Sequence, residues 1–437
     1  MDVSKNLVQQ GKIWTGFFSD YSPGIYEYNM SGYPAGYFVL LGVWQSVFGY
    51  TVESGRLLSM LCGILLLLMI FKLISGLTGN RNIALILTVI LSLDPVFIRA
   101  AHIMRMEIFI SVFIASVIML TDSYTRKPDL YKIIAAVFLC FLSAQFHPVG
   151  YIAFLAGYLQ LILARKISWK ISGLFIFSGL ISVFVWQLTA GQNIKSASDF
   201  LAFQLNRKLS ITPYITLQLR NTYYKYFFWL SLGSLGILFM AARKKISNKN
   251  IYFAVLLIFL FLAVAYLYKE MWYVLYFHIG VSVIFGMCTA HLITTGKISR
   301  YAGYFIITGY LSLILLLFEE YGVALKLDYG LYADEIRDII PVNSKVVVMA
   351  LPDPIQILNQ SGNYIFREFV YDDLNREKYF QSLQSVQYVI INISESRYLA
   401  EYAKINAEKI SLTGDRSGYR VAVVKLTPPE KRIKPAL

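Results

Sequence analysis

The chain has 437 residues, 57% hydrophobic and 16% aromatic, and a net charge of +14. A mean hydropathy of +0.56 excludes an ordinary soluble domain of this size. Repeated apolar runs of roughly 17–22 residues are the length of bilayer-crossing helices. The positive charge is sorted into alternate loops, so it reports membrane topology and excludes nucleic acid as the partner it serves.

Residues 1–55 are polar and aromatic and are expected to form an outer loop with interfacial helices. VSKNLVQQGKIW reads as a short amphipathic helix ending near Gly11, and tyrosines favour the headgroup level in the stretch that follows. Residues 37–49 are apolar but short, which suits a helix lying on or partly in the membrane.

Ten spans follow, at roughly 56–76, 82–98, 105–121, 130–146, 148–164, 169–189, 223–241, 250–268, 273–294 and 301–318. Together residues 56–320 make a helical membrane bundle. One set of loops carries Lys72, Arg81, Arg126, Lys127, Lys132, Arg165, Lys166, Lys170, Arg243, Lys244, Lys245, Lys249, Lys297 and Arg300, against only Asp122 and Asp129. The positive-inside rule makes these loops cytoplasmic. Ten spans with both ends outside leave residues 1–55 without a way across. A first helix is therefore expected ahead of Met1; the alternative is that residues 37–49 span fully.

The other rim collects the chemistry: Asp94, Arg99, His102, Arg105, Glu107, His147, Lys269 and Glu270. Its centre is Ser92–Glu107, SLDPVFIRAAHIMRME. Proline disfavours the helical region for the residue before it, so Asp94-Pro95 must interrupt the helix. Two readings stand for this stretch. Its cations snorkel to headgroups as an interfacial anchor, or its opposite charges and histidine form a polar site. Cys62, Cys140 and Cys288 lie inside apolar runs without metal or disulfide spacing. No D-x-D, H-x-x-x-H or C-x-x-C falls in an outer loop, so no metal or other cofactor is expected.

Residues 328–428 alternate helix and strand, with strands expected at 345–350, 386–393 and 418–426 and helices at YADEIRD, YDDLNREKYFQSLQS and ESRYLAEYAKINAEK. That pattern makes a small α/β domain with a mixed or parallel sheet. Residues 429–437, with two adjacent prolines and three cations just before them or among them, are expected to trail as a disordered tail.

The order of these features resembles the GT-C class of membrane glycosyltransferases, nearest to the dolichyl-phosphate-mannose protein mannosyltransferases and the lipid A aminoarabinose transferases. The matching parts are KNLVQQGKIW, the proline element GYPAGYFVLLGVWQSVFG, Ser54-Gly55-Arg56-Leu57 opening a span, and Arg105-Met106-Glu107 opening another. The likeness covers residues 5–165 and extends more loosely to 320. It implies a multi-pass protein of the cytoplasmic membrane with an extracytoplasmic C-terminal domain. It also implies transfer of a sugar from a polyprenyl-phosphate donor to an acceptor, protein, lipid or envelope glycan, on the outer side.

In that scheme Arg56, Arg99, Arg105, His147, Lys269 and Tyr273 are the candidates to hold the donor phosphate and substrate, because cations stabilise a phosphate leaving group. Glu107 matches the second acid of the family, either supporting catalysis or paired with Arg105 or Arg99. The family's catalytic Asp precedes its Asn-Leu…Gly helix by more than Asp2 precedes Asn6, Leu7 and Gly11. The resemblance therefore places the base upstream of Met1; within the chain Asp2, Asp20 or Glu27 would have to serve. Two alternatives remain open: a transporter of lipid-linked sugar, and an inactive scaffold on the same fold.

Overall fold

The computed structural model describes residues 34–189, 274–322, 329–350, 364–367, 383–391 and 397–433, with Ser4, Pro354 and Leu358. The chain divides into two compact units, Ser31–Glu320 and a second made of Met1–Met30 with Tyr321–Leu437.

The first unit is helical throughout its described part. Helix α1 spans Gly36–Phe48, inside the apolar stretch read as a short interfacial segment. Thr51 then caps α2, Val52–Thr78, its hydroxyl accepting from the Ser54 N–H at 3.1 Å. Gly79, at φ +67°, ends that helix in the left-handed conformation that glycine tolerates. Asn80 at once caps α3, Arg81–Ser92, accepting from the Ile83 N–H.

The span expected over 82–98 is instead two helices. Asp94 turns the chain, and its Oδ1 accepts from the Phe97 N–H at 3.3 Å to start α4, Pro95–His102. Proline has no N–H to lose at the first helical position, so Asp-Pro both ends α3 and begins α4. After a four-residue link come α5, Glu107–Arg126, and α6, Leu130–Phe146, the latter capped by Asp129. A 3-10 turn, Pro148–Tyr151, leads into α7, Ile152–Leu163, and then α8, Trp169–Thr189. Two further helices, α9 at Val274–Thr295 and α10 at Lys297–Gly322, lie where spans were expected at 273–294 and 301–318. The spans expected at 223–241 and 250–268 fall outside the described residues.

Among the described residues three helices are long and apolar enough to cross a membrane: Val52–Gly76, Glu107–Arg126 and Trp169–Thr189. At 1.5 Å per residue the 20 residues of α5 reach about 30 Å, one hydrocarbon core. Helix α5 packs on α2, α6 and α7, α6 also on α8, and α9 on α2 and α3. The bundle is tied by polar contacts that lipid cannot replace. Thr121 of α5 hydrogen-bonds Gln160 of α7, and the Gln145 Nε2 of α6 donates to the Ser182 carbonyl of α8 at 2.8 Å. Much of α8 remains apolar and outward, including Phe177, Leu180, Phe184 and Leu188, as a lipid-facing surface requires.

In the second unit, α11, Tyr329–Ile339, precedes a five-stranded sheet of β1 Lys345–Met349, β2 Tyr364–Arg367, β3 Tyr388–Ile391, β4 Ala407–Leu412 and β5 Ala422–Leu426, with α12 at Arg397–Ile405. The order is β2-β1-β3-β5-β4, parallel through β2-β1-β3 and antiparallel through β3-β5-β4. The expected mixed sheet is present, with three corrections. Residues 364–367 form a strand no pattern announced. The helix expected to run on to Lys409 stops at Ile405, and Ala407 opens a strand. The stretch expected to trail from residue 429 is pinned as far as Ile433. Asn406 donates to the Ile433 carbonyl and accepts from its N–H, and Arg432 Nη1 donates to the Leu383 and Gln384 carbonyls. Most of the helix expected over YDDLNREKYFQSLQS lies outside the described residues.

Sheet residues alternate between two cores. Val347, Val389, Ile391 and Val424 face one, with Tyr402 and Ala403 of α12; Val346, Val348, Ile390 and Val423 face the other, with Tyr332 and Ile336 of α11. That is the layered burial a doubly covered sheet demands.

Candidate functional site

The residues singled out in Ser92–Glu107 are built by the break itself. Once α4 ends, Ile103–Met106 must turn the chain into α5. The Ile103 N–H still bonds the Arg99 carbonyl, and the Arg105 N–H folds back to the Ile103 carbonyl at 2.8 Å. This tight link holds Arg105 just outside α5 while Glu107 sits at its first position, where the helix dipole favours an acid.

The two side chains meet. Arg105 Nε lies 3.1 and 3.2 Å from Oε1 and Oε2 of Glu107, and Nη2 lies 2.9 Å from Oε1. The carboxylate is 3% exposed and the guanidinium 30%. Removing one partner of a pair so sheltered costs more than breaking a surface ion pair, and the planar fork fixes its direction. Of the two partners expected for Glu107, the described structure pairs it with Arg105.

Glycines bring the neighbouring helices up to this link. A Cβ on Gly55 would lie 1.9 Å from the Met104 sulfur, and one on Gly63 would lie 2.8 Å from Ala101 Cβ. The small residues of SGRLLSMLCG therefore form the groove that receives α4 and the 103–106 link. Arg56, one residue beyond Gly55, is exposed on the first turn of α2, and Arg99 is exposed on the last turn of α4. Two exposed arginines and Arg105 thus lie on segments that pack around one polar break.

Sequence reasoning missed Tyr37. It is the second residue of α1, is 4% exposed, and packs edge-on against Phe109 at 5.5 Å and Phe146 at 6.2 Å between ring centroids. Phe109 is two residues beyond Glu107 on α5. The Tyr37 hydroxyl is buried and has no hydrogen-bond partner among the described residues. The one signal in the sequence was a tyrosine just inside an otherwise apolar helix, which equally suits an interfacial belt.

His147, expected to help hold the donor phosphate, caps a turn. It is buried at the end of α6, and its Nδ1 accepts from the Val149 N–H at 3.0 Å, capping the Pro148–Tyr151 turn. That bond places the proton of a neutral ring on Nε2. Asp94 is likewise buried as the cap of α4, and the exposed His102 places Nδ1 2.9 Å from the Ile98 carbonyl. Asp2, Asp20, Glu27, Lys269 and Tyr273 lie outside the described residues. No group of three or more His, Cys, Asp or Glu comes together among the described residues.

No protein-family model and no curated protein matches the sequence. Solved structures do. The crystal structure of ArnT from Cupriavidus metallidurans bound to undecaprenyl phosphate superposes with a TM-score of 0.60 at 13% identity, over 100% of this chain and 94% of that one. ArnT in the apo state gives 0.50 at 12% identity, over 97% and 91%. ArnT is a GT-C lipid A aminoarabinose transferase. At such identity the likeness is one of fold, and at that level the resemblance read from the sequence holds: the chain has the GT-C-like fold of ArnT.

Proposed function

We propose that this protein is a glycosyltransferase that moves a sugar from a polyprenyl-phosphate donor to an acceptor at the outer face of the cytoplasmic membrane. The observation that carries the reading is the fold likeness to ArnT along the whole chain, with the Arg105–Glu107 pair standing at the polar break of the bundle. In this reading the chain crosses the membrane about ten times and the α/β unit is extracytoplasmic.

The chemistry asks for cations at a membrane rim, because the leaving group is a phosphate whose charge grows as the glycosidic bond breaks. In this reading Arg105, Arg56, Arg99 and Lys269 supply them, and Tyr273 helps to hold the substrate. Arginine suits the task, since its fork matches phosphate oxygens two at a time. Glu107, both oxygens engaged by Arg105, orients that guanidinium. A carboxylate of the first outer loop acts as general base on the acceptor hydroxyl.

The test is release of polyprenyl phosphate from a polyprenyl-phosphate sugar by the purified chain in lipid nanodiscs. Arg105→Ala is expected to abolish it. Because that change also strands Glu107, Arg105→Lys is the cleaner variant: it keeps a charge beside the carboxylate but loses the fork. Its turnover is expected to fall roughly 100-fold, the scale of one lost transition-state donor. Wild-type turnover in Arg105→Lys would remove the guanidinium from the chemistry.

A further inference from the structure

Several segments of the α/β unit meet at one end of its sheet. Strands β1 and β3 are parallel, so the residues ahead of Lys345 and those ahead of Tyr388 lie at the same end. The Gln387 N–H donates to the Lys345 carbonyl at 2.8 Å, and the Leu426 N–H, at the end of β5, donates to the Gln387 carbonyl at 2.9 Å. Asn406, between α12 and β4, accepts from the Thr427 N–H at 2.9 Å and holds Ile433 by two side-chain bonds. The turn before β1, the last residues of α12 and the segment after β5 therefore form one rim.

That rim is basic. Lys345, Lys404, Lys409, Lys425 and Lys431 are exposed there, and Glu408 and Glu430 are the acids beside them among the described residues. Arg432 adds a cation whose guanidinium bonds the Leu383, Gln384 and Thr427 carbonyls, neutral groups that do not cancel its charge. Glu408 pairs with Lys425 at 2.8 Å. Even so, Lys409 and Lys425 stand directly opposite across β4 and β5, where like charges oppose strand pairing. The next acids inward, Glu401 and Asp338, lie about one helical turn away, and Asp338 is 3.8 Å from Arg416.

Three aliphatic side chains stand out of the same rim: Val342 is 66% exposed, Ile405 44% and Ile433 61%. Scattered aliphatics are ordinary on any surface. Here they share one rim with the lysines. A soluble polyanion would use the charge and leave the aliphatic tips in water. An anionic bilayer uses both, since aliphatic tips enter the headgroup boundary while ammonium groups reach lipid phosphates.

We propose that the rim carrying Val342, Ile405, Ile433 and these lysines is a docking surface for an anionic lipid bilayer. No covalent bond changes. The inference concerns the α/β unit by itself and stands apart from the transfer chemistry.

The experiment places a fluorophore on Ile433→Cys or, in the β4–β5 loop at the other end of the sheet, on Asp415→Cys. Each is made in the full chain with Cys62→Ala, Cys140→Ala and Cys288→Ala. Quenching by doxyl-labelled lipid is read in nanodiscs of phosphatidylglycerol and of phosphatidylcholine. In phosphatidylglycerol the Ile433→Cys label is expected to be strongly quenched and the Asp415→Cys label weakly. The quenching at Ile433→Cys is expected to fall in phosphatidylcholine and at raised salt. Lys404→Glu with Lys431→Glu is expected to lower the docked-to-undocked ratio roughly 25-fold, about fivefold for each lysine lost. Val342→Asp is expected to lower it as well. All these positions are exposed, so melting temperatures are expected to stay at the parent value.

Equal quenching at the two ends, or quenching indifferent to lipid charge and to the lysine changes, would overturn the inference. So would an Ile433→Cys label whose emission responds to soluble polyphosphate but not to doxyl lipid, because the rim would then bind a polyanion rather than a bilayer.

Discussion

Among the described residues the two units each shelter one glutamate, and they hold it in opposite ways. In the helical unit Glu107 is gripped by one side chain, Arg105, itself 30% exposed. In the α/β unit Glu335 of α11 is gripped by the loop between β4 and β5. Ser417 Oγ and the Gly414 N–H donate to Oε2, and the Arg416 N–H donates to Oε1. Backbone donors in a closed loop cannot leave without opening the loop. A guanidinium on a flexible stem can leave by rotation. The first arrangement suits a site that changes partners and the second suits a joint, although both look alike in a tally of buried acids.

Removing the partner separates them most sharply. Arg105→Ala strands a carboxylate that is 3% exposed and is expected to lower stability by about 3 kcal/mol. Glu107→Ala leaves a guanidinium that water already reaches, and is expected to cost about 1 kcal/mol. Thermal unfolding of the two variants in the same detergent checks the order. Equal losses would mean that the burial asymmetry carries no weight.

Glu335 gives a smaller and pH-dependent effect. Desolvation pushes its carboxyl up, but the bonds from Ser417 and from the Arg416, Gly414 and Ser417 amides together outweigh it and hold the group below the usual glutamate range. A depressed carboxyl stabilises the fold above its unfolded pKa, and that stability is lost as pH falls through the folded value. Hydrogen exchange at the Gly414 and Arg416 amides of the full chain is therefore expected to lose protection on acidification below about pH 4. In Glu335→Gln the protection is expected to start lower by about 2 kcal/mol and to vary less with pH.

The smallest expected effect is at the exposed Lys425–Glu408 pair, 2.8 Å apart on β5 and β4. Glu408→Gln is expected to shift stability by less than about 0.5 kcal/mol. A larger shift would show that exposed charge, rather than covered carboxylates, holds the edge of the sheet.

Much of this was legible in the sequence where one local rule decides the outcome. Asp94-Pro95 announced the break, though not that the residues after it would make a separate helix. The close approach at Gly55 and Gly63 was not read from the sequence, because nothing local says which segment meets those glycines. Arg105 and Glu107, two positions apart at a helix start, pointed to each other. Long-range effects were harder to see. The run KINAEK has helical composition, but β5 beside it accepts a strand, so tertiary pairing overrides propensity from Ala407 onward. The segment after Leu426 looked like a tail because nothing local reveals that Asn406 and Arg432 tie it down. Tyr37 was passed over because burial of a hydroxyl among rings from α5 and α6 is a property of the packed bundle.

The most direct measurement is turnover of a polyprenyl-phosphate sugar by the purified wild-type chain and by Arg105→Lys, with equal folding of both verified by melting temperature. The expected result is release of polyprenyl phosphate by wild type and a loss of roughly 100-fold in the variant. Equal turnover by the two proteins, or donor left intact by a folded wild type that does not bind undecaprenyl phosphate, would contradict a glycosyltransferase built around this arginine.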